Sequence, residues 1–220
     1  MTKLTLERFE NGIQLYQDEN LYKFTSDSIL LAKFCNIKHT DAVLDMCAGC
    51  GVVGFYAYSI NKFNKLYLND IQPEMCRLIK KNIELNDLND KCDVMCKDLS
   101  LLKVEDFGKP LDVIVCNPPY FKCGGKTNER EDVAMCRHEI TTNLNKIVSK
   151  ASELIKVKGR LYFVIPATRM CESVIELNKN NFEVKNMQMR YHGSTVTACF
   201  IEAVKCANSG IKIKLIEEGV

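Results

Sequence analysis

The amino-acid sequence predicts an α/β fold: a mostly parallel sheet of seven strands with helices on both faces and an antiparallel C-terminal strand. Two observations support this prediction. Short apolar runs alternate along the chain with longer stretches whose apolar residues recur at helical spacing. The chain has 220 residues, 46% of them hydrophobic, which is enough for one domain with a substantial core. We therefore expect residues 1–220 to form a single domain, in which residues 1–40 are an N-terminal extension.

The first half of the chain contains the clearest elements. A helix-start signal at residues 24–28 precedes the first strand. Four short apolar runs predict strands over residues 42–46, 65–70, 92–96 and 111–116. Helices are predicted between them, one over residues 52–60 and one that begins at Pro73, a residue suited to the first turn of a helix. This alternation of strands and helices is typical of a parallel sheet.

The second half continues the alternation. A long helix is predicted over residues 139–157, because apolar residues recur along one side of it. A fifth strand over residues 160–165 and a helix over residues 167–178 follow. Residues 182–189 and 197–204 predict two closing strands, which a hairpin would make antiparallel.

Composition and charge exclude several classes of protein. The net charge of +2 gives no global basic field, so a nucleic acid would have to be held by a local patch. No apolar run approaches the roughly 20 residues of a membrane helix, and the N-terminus lacks a signal peptide. We expect a cytoplasmic protein with no membrane partner. The twelve cysteines, among them Cys35, Cys76, Cys96, Cys116 and Cys199 in apolar runs, predict reduced and mostly buried thiols rather than disulfides or a metal site.

The residues Asn117-Pro118-Pro119-Tyr120 are the most informative motif in the chain. They follow the predicted strand 111–116, and ligands bind at the carboxyl ends of strands in open α/β sheets. Two consecutive prolines exclude a helix. The Asn117 amide oxygen and the Pro118 carbonyl can accept both hydrogens of a planar amino group, and Tyr120 offers a ring for stacking. The motif therefore predicts a catalytic site for the NH2 group of a base or of a carboxamide.

A second motif joins the first predicted strand to the helix that follows. Residues 45–54 contain Gly49, Gly51 and Gly54, a spacing that resembles a dinucleotide-binding turn. However, Asp45 at the end of the strand would repel a pyrophosphate and attract an α-amino group. Asp70 ends the next strand, in the position that binds ribose hydroxyls. A ligand with both a ribose and an amino acid cation is S-adenosylmethionine. The alternative for the glycines alone is a plain tight turn with a helix cap.

Taken in chain order, Asp45-x-x-x-Gly49-x-Gly51, Asp70, Asp98 and Asn117–Tyr120 resemble the motifs of Rossmann-like S-adenosylmethionine-dependent methyltransferases, class I. The tetrapeptide resembles the branch that methylates amino groups. This resemblance implies that Asp45 lies near the methionine end of the cofactor, Asp70 on the ribose and Asp98 on the adenine amino group. It also implies that Ile71 and Leu99 sandwich the adenine. Cys47 stands where these proteins usually have their first glycine.

A narrower resemblance covers almost the whole chain. Residues 22–32, residues 117–121 and the sequence Arg137-His138-Glu139 are similar to the tRNA1(Val) N6-adenine methyltransferase family. That family implies methylation of the adenine 3′ to the anticodon. We expect the protein to be a monomer or a weak homodimer. The family also implies that residues 1–40 pack on the cofactor site. The implied cofactor contacts include Phe24, Thr25, Asp27 and Asn117. The implied contacts to the RNA are Tyr120, Phe121, Lys122, Arg137 and His138.

Three other functions compete with this hypothesis. A protein glutamine N5-methyltransferase uses the same tetrapeptide on a carboxamide, but usually carries an additional N-terminal helical domain. A DNA N6-adenine methyltransferase would normally bring a target-recognition domain. A non-catalytic RNA-binding protein could keep the fold, although the set of Asp45, Asp70 and Asn117 argues against it. His138 is more simply a phosphate contact or a helix cap than a general base.

Overall fold

The computed structural model describes residues 4–118 and 144–217. Within these ranges, helices are α1 (Ser26–Phe34), α2 (Val52–Asn61), α3 (Pro73–Leu85), α4 (Leu144–Leu154) and α5 (Met170–Lys179). Strands are β1 (Leu4–Arg8), β2 (Gln14–Asp18), β3 (Ala42–Met46), β4 (Lys65–Asp70), β5 (Cys92–Cys96), β6 (Leu111–Cys116), β7 (Ile155–Pro166), β8 (Phe182–His192), β9 (Thr195–Lys205) and β10 (Lys212–Glu217). No helix in the described ranges is long and apolar enough to cross a membrane.

The main sheet confirms the predicted fold class. Its strand order is β10-β8-β9-β7-β6-β3-β4-β5, and β3, β4, β5, β6 and β7 pair in parallel. Strand β9 is antiparallel to both of its neighbours, β7 and β8, and it forms the predicted hairpin with β8. The sheet has eight strands rather than the predicted seven, because β10 adds in parallel to β8 at the edge.

Side chains that alternate along the strands face two separate apolar layers, one on each side of the sheet. Val43 and Val113 face a core that also contains residues of α1, α2 and α3, whereas Leu44 and Ile114 face a core with residues of α4 and α5. Successive side chains of a strand point to opposite faces, so a strand that is buried on both faces is apolar throughout. Asp45 is the exception in β3, and its position places it on the face covered by α2.

Several boundaries differ from the sequence prediction, most clearly where the long helix meets the fifth predicted strand. Helix α4 ends at Leu154 rather than at residue 157, because Ile155 already pairs with Leu111 of β6 as the first residue of β7. A register shift follows, and Lys158 has a φ of +63° within this irregular start of the strand. The predicted beginning of this helix, residues 139–143, lies outside the described residues. Of the five cysteines expected in the core, only Cys96 is exposed, because it ends the edge strand β5.

The sequence prediction did not include the N-terminal hairpin formed by β1 and β2, which docks on α3 through two asparagines one helical turn apart. The Asn82 amide accepts a hydrogen bond from the Tyr16 N–H (2.7 Å) and donates to the Tyr16 carbonyl (3.2 Å). Asn86 pairs with the Gln14 backbone in the same way, at 3.0 and 2.7 Å. Asn82 also donates to the Cys50 carbonyl (3.1 Å), so the hairpin and the glycine-containing turn share one buried side chain.

Candidate active site

A cavity of about 270 Å³ opens at the carboxyl ends of the parallel strands. It brings together residues from β3, β4 and β7, from the turns after β3 and β6, and from the start of α1. Nearly all of the described residues that the sequence predicted as ligand contacts line it: Phe24, Thr25, Asp27, Asp45, Gly49, Asp70, Ile71, Asp98, Leu99, Asn117 and Pro118. The parallel sheet explains this convergence, because its strands end on one side.

The two glycines of the predicted cofactor turn have different roles. Gly49 has a φ of +57° and lines the cavity, and a Cβ built on it meets no atom within 4 Å. Gly51 has a φ of +87°, but it is not among the lining residues, and a Cβ there would lie 2.5 Å from the Phe55 ring. Gly51 stays a predicted cofactor contact, and the structure adds that packing against Phe55 leaves no room for a side chain there. Cys47 also has a positive φ, +60°, a conformation that glycine adopts more readily.

Asp45 is buried beneath the first turn of α2 with a side chain that is only partly satisfied. Its residue is 1% exposed, and its Oδ2 accepts a hydrogen bond from the Gly54 N–H (2.7 Å). Its Oδ1 is buried and has no hydrogen-bond partner among the described residues. Burial raises the pKa of Asp45 to about 7, and the nearby Asp70 carboxylate contributes in the same direction. An unpartnered buried carboxylate oxygen that borders a cavity favours a ligand with a cationic donor.

Asp70 connects the end of β4 to the glycine-containing turn. Its Oδ2 accepts a hydrogen bond from the Gly49 N–H (2.8 Å), and its Oδ1 accepts one from the Gln72 N–H (2.9 Å). Burial raises the pKa of this carboxyl above its ordinary value. Each carboxylate oxygen has a second lone pair, so Asp70 can still accept from ribose hydroxyls. The tether to Gly49 is a role that sequence reasoning missed.

Asp98, Leu99 and Ile71 also line the cavity. The Asp98 Oδ1 accepts hydrogen bonds from the Ser100 N–H (2.7 Å) and hydroxyl (2.6 Å), which lower the pKa of the carboxyl and fix it at the start of a short 3₁₀ turn. Leu99 is buried, whereas Ile71 is 38% exposed at the rim. The two apolar side chains and the ionised carboxylate provide the contacts that an adenine with its amino group requires.

Asn117 follows β6 and borders the same cavity. Its Nδ2 donates a hydrogen bond to the Ser28 Oγ of α1 (2.9 Å), and Pro118 beside it is buried. The remaining predicted acceptor and RNA contacts lie outside the described residues: Pro119, Tyr120, Phe121, Lys122, Arg137 and His138.

The C-terminal strands contribute a wall of the cavity that the sequence did not predict. Residues 164–166 at the end of β7, together with Arg190 of β8 and Thr197 of β9, line it. An Arg190 guanidinium nitrogen lies 2.6 Å from Asp27 Oδ1, and the Arg190 Nε donates to the Thr197 hydroxyl (3.2 Å). The predicted parallel sheet offered the only signal for this wall. Because β7 runs parallel to β6, the two strands end on the same side of the sheet.

The lining residues fit S-adenosylmethionine. The unpartnered Asp45 oxygen suits a cationic amino group, the Asp70 carboxylate suits ribose hydroxyls, and the open space at Gly49 allows close approach to the backbone. Four aspartates line the cavity, and one of them, Asp27, is paired with Arg190. The other three carboxylates, of Asp45, Asp70 and Asp98, also suit a ligand whose sulfonium and ammonium groups are both positive. A phosphate-containing dinucleotide would be repelled by the same carboxylates.

Comparisons with known proteins agree with this cavity chemistry. Residues 23–192 match the family model of the methyltransferase small domain. The tRNA1(Val) (adenine(37)-N6)-methyltransferase of a Flavobacteriaceae bacterium (strain 3519-10) is 25% identical over 165 residues, which are 74% of this chain and 68% of that protein. The protein of the same name from Haemophilus influenzae (strain PittGG) is 27% identical over 169 residues, covering 76% of this chain and 69% of that protein.

The solved structures add evidence on the fold. The crystal structure of a predicted O-methyltransferase from Agrobacterium tumefaciens superposes with a TM-score of 0.67 at 17% identity, covering 88% of this chain and 89% of that chain. At 17% identity, the superposition is evidence for a shared fold and carries no information about the substrate. The family match spans most of the chain, and the cavity holds the groups that the methyl donor requires. The chain therefore belongs to the methyltransferase small-domain family and is a methyltransferase whose methyl donor is S-adenosylmethionine.

Proposed function

We propose that this protein transfers a methyl group to the exocyclic N6 of an adenine in RNA, and specifically in tRNA next to the anticodon. The observation that carries the proposal is the position of Asn117, which borders the cavity of the cofactor residues with its amide nitrogen bonded to Ser28. The names of the two relatives described above support the choice of tRNA and of the adenine amino group.

The proposed cofactor contacts follow the cavity from one end to the other. Asp45 lies at the methionine end, Gly49 and Asp70 at the ribose, and Asp98 at the adenine amino group, with Ile71 and Leu99 on the two faces of the ring. Phe24, Thr25 and Asp27 belong to the N-terminal extension and border the same cavity. In this proposal, residues 1–40 are part of the single domain and close one side of the cofactor site.

The mechanism depends on hydrogen bonds from the acceptor amino group to Asn117 and Pro118. S-adenosylmethionine, when bound, supplies a methyl group bonded to a sulfonium sulfur. The sulfur is the leaving group and needs no acid assistance. An adenine amino nitrogen is a poor nucleophile, because its lone pair is delocalised into the ring. The Asn117 Oδ1 and the Pro118 carbonyl would accept hydrogen bonds from its two N–H groups. These bonds would favour a pyramidal nitrogen and stabilise the positive charge that develops on it.

Positioning supplies the rest of the rate enhancement. Fixing the amino nitrogen in line with the S–CH3 bond can lower the activation barrier by several kcal/mol. Stacking of the base on Tyr120 would hold it in this geometry, and the base must leave its own stack to enter. An unpaired tRNA loop meets this requirement at low cost. The methylated amino group loses its proton readily, so no strong general base is required.

The proposed partner is tRNA or another RNA, met in the cytoplasm by a monomer or a weak homodimer. Lys122, Arg137 and His138 remain predicted phosphate contacts. A carboxamide NH2 could use the same two acceptors, so a glutamine in a protein is the substrate that the test must separate from adenine.

The test is methyl transfer from labelled S-adenosylmethionine to three pools: unmodified total tRNA, duplex DNA and a protein extract. We expect N6-methyladenosine in tRNA alone, identified by nucleoside analysis. Asn117→Ala should abolish transfer and largely retain calorimetric binding of the cofactor, because the amide faces the acceptor. Asn208→Ala, in the exposed turn after β9, is the matched control and should behave as the wild type. Label in protein alone would contradict the proposal, and loss of cofactor binding in Asn117→Ala would contradict its assigned role.

A further inference from the structure

Ser28 is a buried polar residue that connects two distant parts of the chain. It is the third residue of α1 and is 3% exposed. Its Oγ lies 2.9 Å from the Asn117 Nδ2, although 89 positions separate the two residues in sequence. A buried serine in a helix needs no such partner, since its hydroxyl can bond to the backbone of the preceding turn.

The orientation of the Asn117 amide decides whether it can serve the proposed reaction. An asparagine side chain has an acceptor oxygen on one side and a donor NH2 group on the other. With Nδ2 bonded to Ser28, Oδ1 is the atom available to an acceptor amino group. The opposite orientation would place NH2 against NH2, two donors with no acceptor between them, and would lose the hydrogen bond that stabilises the developing charge.

The helix turn that carries Ser28 is itself fixed. The Ser28 N–H donates to the Thr25 carbonyl at 3.0 Å. The neighbouring Asp27 is ion-paired with Arg190 of β8 at 2.6 Å, and the Arg190 guanidinium also donates to the Ser26 hydroxyl at 3.4 Å. The Arg190 and Asp27 side chains are 12% and 27% exposed. Their pairing holds the first turn of α1 against the strand and so places the Ser28 hydroxyl beside Asn117.

We propose that Ser28 is a positioning residue for methyl transfer: its hydroxyl holds the Asn117 amide with the oxygen toward the acceptor amino group. This inference rests on the proposed function, because it assigns Asn117 to the acceptor. Ser28 acts through Asn117, so its removal should lower the rate of the chemical step and leave the affinity for S-adenosylmethionine nearly unchanged. The Asp27–Arg190 pair gives the N-terminal extension a specific task in the site.

The kinetic test compares Ser28→Ala with Ser28→Thr, which keeps the hydroxyl. We expect kcat to fall roughly 10- to 100-fold in the alanine variant, the range produced by a misplaced reacting group. The KM for RNA and the calorimetric Kd for S-adenosylmethionine should each stay within about twofold, and the threonine variant should recover most of the lost kcat. Ser173→Ala is the control, because Ser173 of α5 is a fully buried serine away from the cavity, and its hydroxyl donates to the carbonyl of Arg169, the residue before that helix.

A spectroscopic test is independent of activity. In ¹⁵N-labelled protein, the side-chain NH2 resonances of Asn117 are identified by their absence in Asn117→Ala. We expect their hydrogen exchange to be slow in the wild type and in Ser28→Thr, and fast in Ser28→Ala. Equal exchange in wild type and Ser28→Ala would show that the hydroxyl does not hold the amide, and would overturn the inference.

The outcomes separate this inference from the proposed function. A wild-type protein that is active on tRNA, with an equally active Ser28→Ala, would refute the positioning role and leave the function intact. A wild-type protein that makes no N6-methyladenosine would refute the proposed function, while the exchange measurement would still decide whether Ser28 holds Asn117. A similar loss of kcat in Ser173→Ala would indicate general destabilisation and would also overturn the role of Ser28.

Discussion

Gly51→Ala and Gly49→Ala form a matched pair that separates a glycine needed for folding from one needed for ligand approach. Both residues have a positive φ and lie two positions apart in the same turn. A Cβ on Gly51 would lie 2.5 Å from the Phe55 Cε2 and 2.8 Å from the Leu68 Cδ2. Both of these neighbours are fully buried, so neither can move without disturbing the core. A Cβ on Gly49 would stand in open space at the cavity.

The two substitutions should therefore have different magnitudes. An alanine in the left-handed region costs about 1–2 kcal/mol at either position. Overpacking at residue 51 adds about 1–3 kcal/mol, for a total of roughly 2–5 kcal/mol of unfolding free energy. A chain of 220 residues loses roughly 2 °C of Tm per kcal/mol. We expect Tm to fall by about 4–10 °C in Gly51→Ala and by about 2–4 °C in Gly49→Ala.

Cofactor affinity should show the opposite order. The added methyl of Gly49→Ala occupies space that borders the cavity, so we expect at least a tenfold weaker Kd for S-adenosylmethionine, or roughly 1.4 kcal/mol. Thermal unfolding followed by circular dichroism and isothermal titration calorimetry on the folded protein measure the two effects. A Tm for Gly51→Ala no lower than that of Gly49→Ala would refute the packing argument. Wild-type affinity in Gly49→Ala would refute close approach of the cofactor at this turn.

Three further predictions concern the carboxylates and the N-terminal hairpin. Asp70→Ala should weaken cofactor binding more than tenfold, about 1.4 kcal/mol or more. The substitution removes both the ribose acceptor and the hydrogen bond to the Gly49 N–H. An unchanged Kd would disprove the ribose role. Asp45, with a pKa near 7, is protonated below that pH, so affinity for the cationic cofactor should fall as pH falls through 7. In Asp45→Asn, calorimetry between pH 6 and 8 should lose this dependence, and a wild-type profile there would assign it to another group. Asn82→Ala should cost about 3 kcal/mol of unfolding free energy in urea, about 1 kcal/mol for each of the three hydrogen bonds made by this fully buried side chain. The half-buried Asn86→Ala, whose partners water can reach, is its control and should cost clearly less.

The central strands could be predicted closely because burial on both faces leaves a direct mark on composition. Residues 42–46, 65–70 and 111–116 are central strands with the predicted bounds, and the edge strand 92–96 also has them. The strands that were missed lie at edges and carry weaker patterns. Alternating lysines and aliphatic residues over 212–216 mark β10, and the Asn11-Gly12 dipeptide marks the hairpin between β1 and β2. The end of α4 was placed three residues late, because an apolar run can continue from a helix into a buried strand without a change in composition.

The sequence by itself determined which chemical groups meet at the site. Asp45, Asp70 and Asn117 each lie at or just past the carboxyl end of a buried strand, and a parallel sheet necessarily brings such positions together. Only the tertiary structure decided how these groups are oriented and what holds them. The hydrogen bond from Asn117 to Ser28, and the place of Arg190 in the cavity wall, depend on contacts between elements far apart in the chain. Such contacts leave no local pattern, because a side chain's partner is set by how helices and strands pack, whereas a strand's own composition is set by its burial.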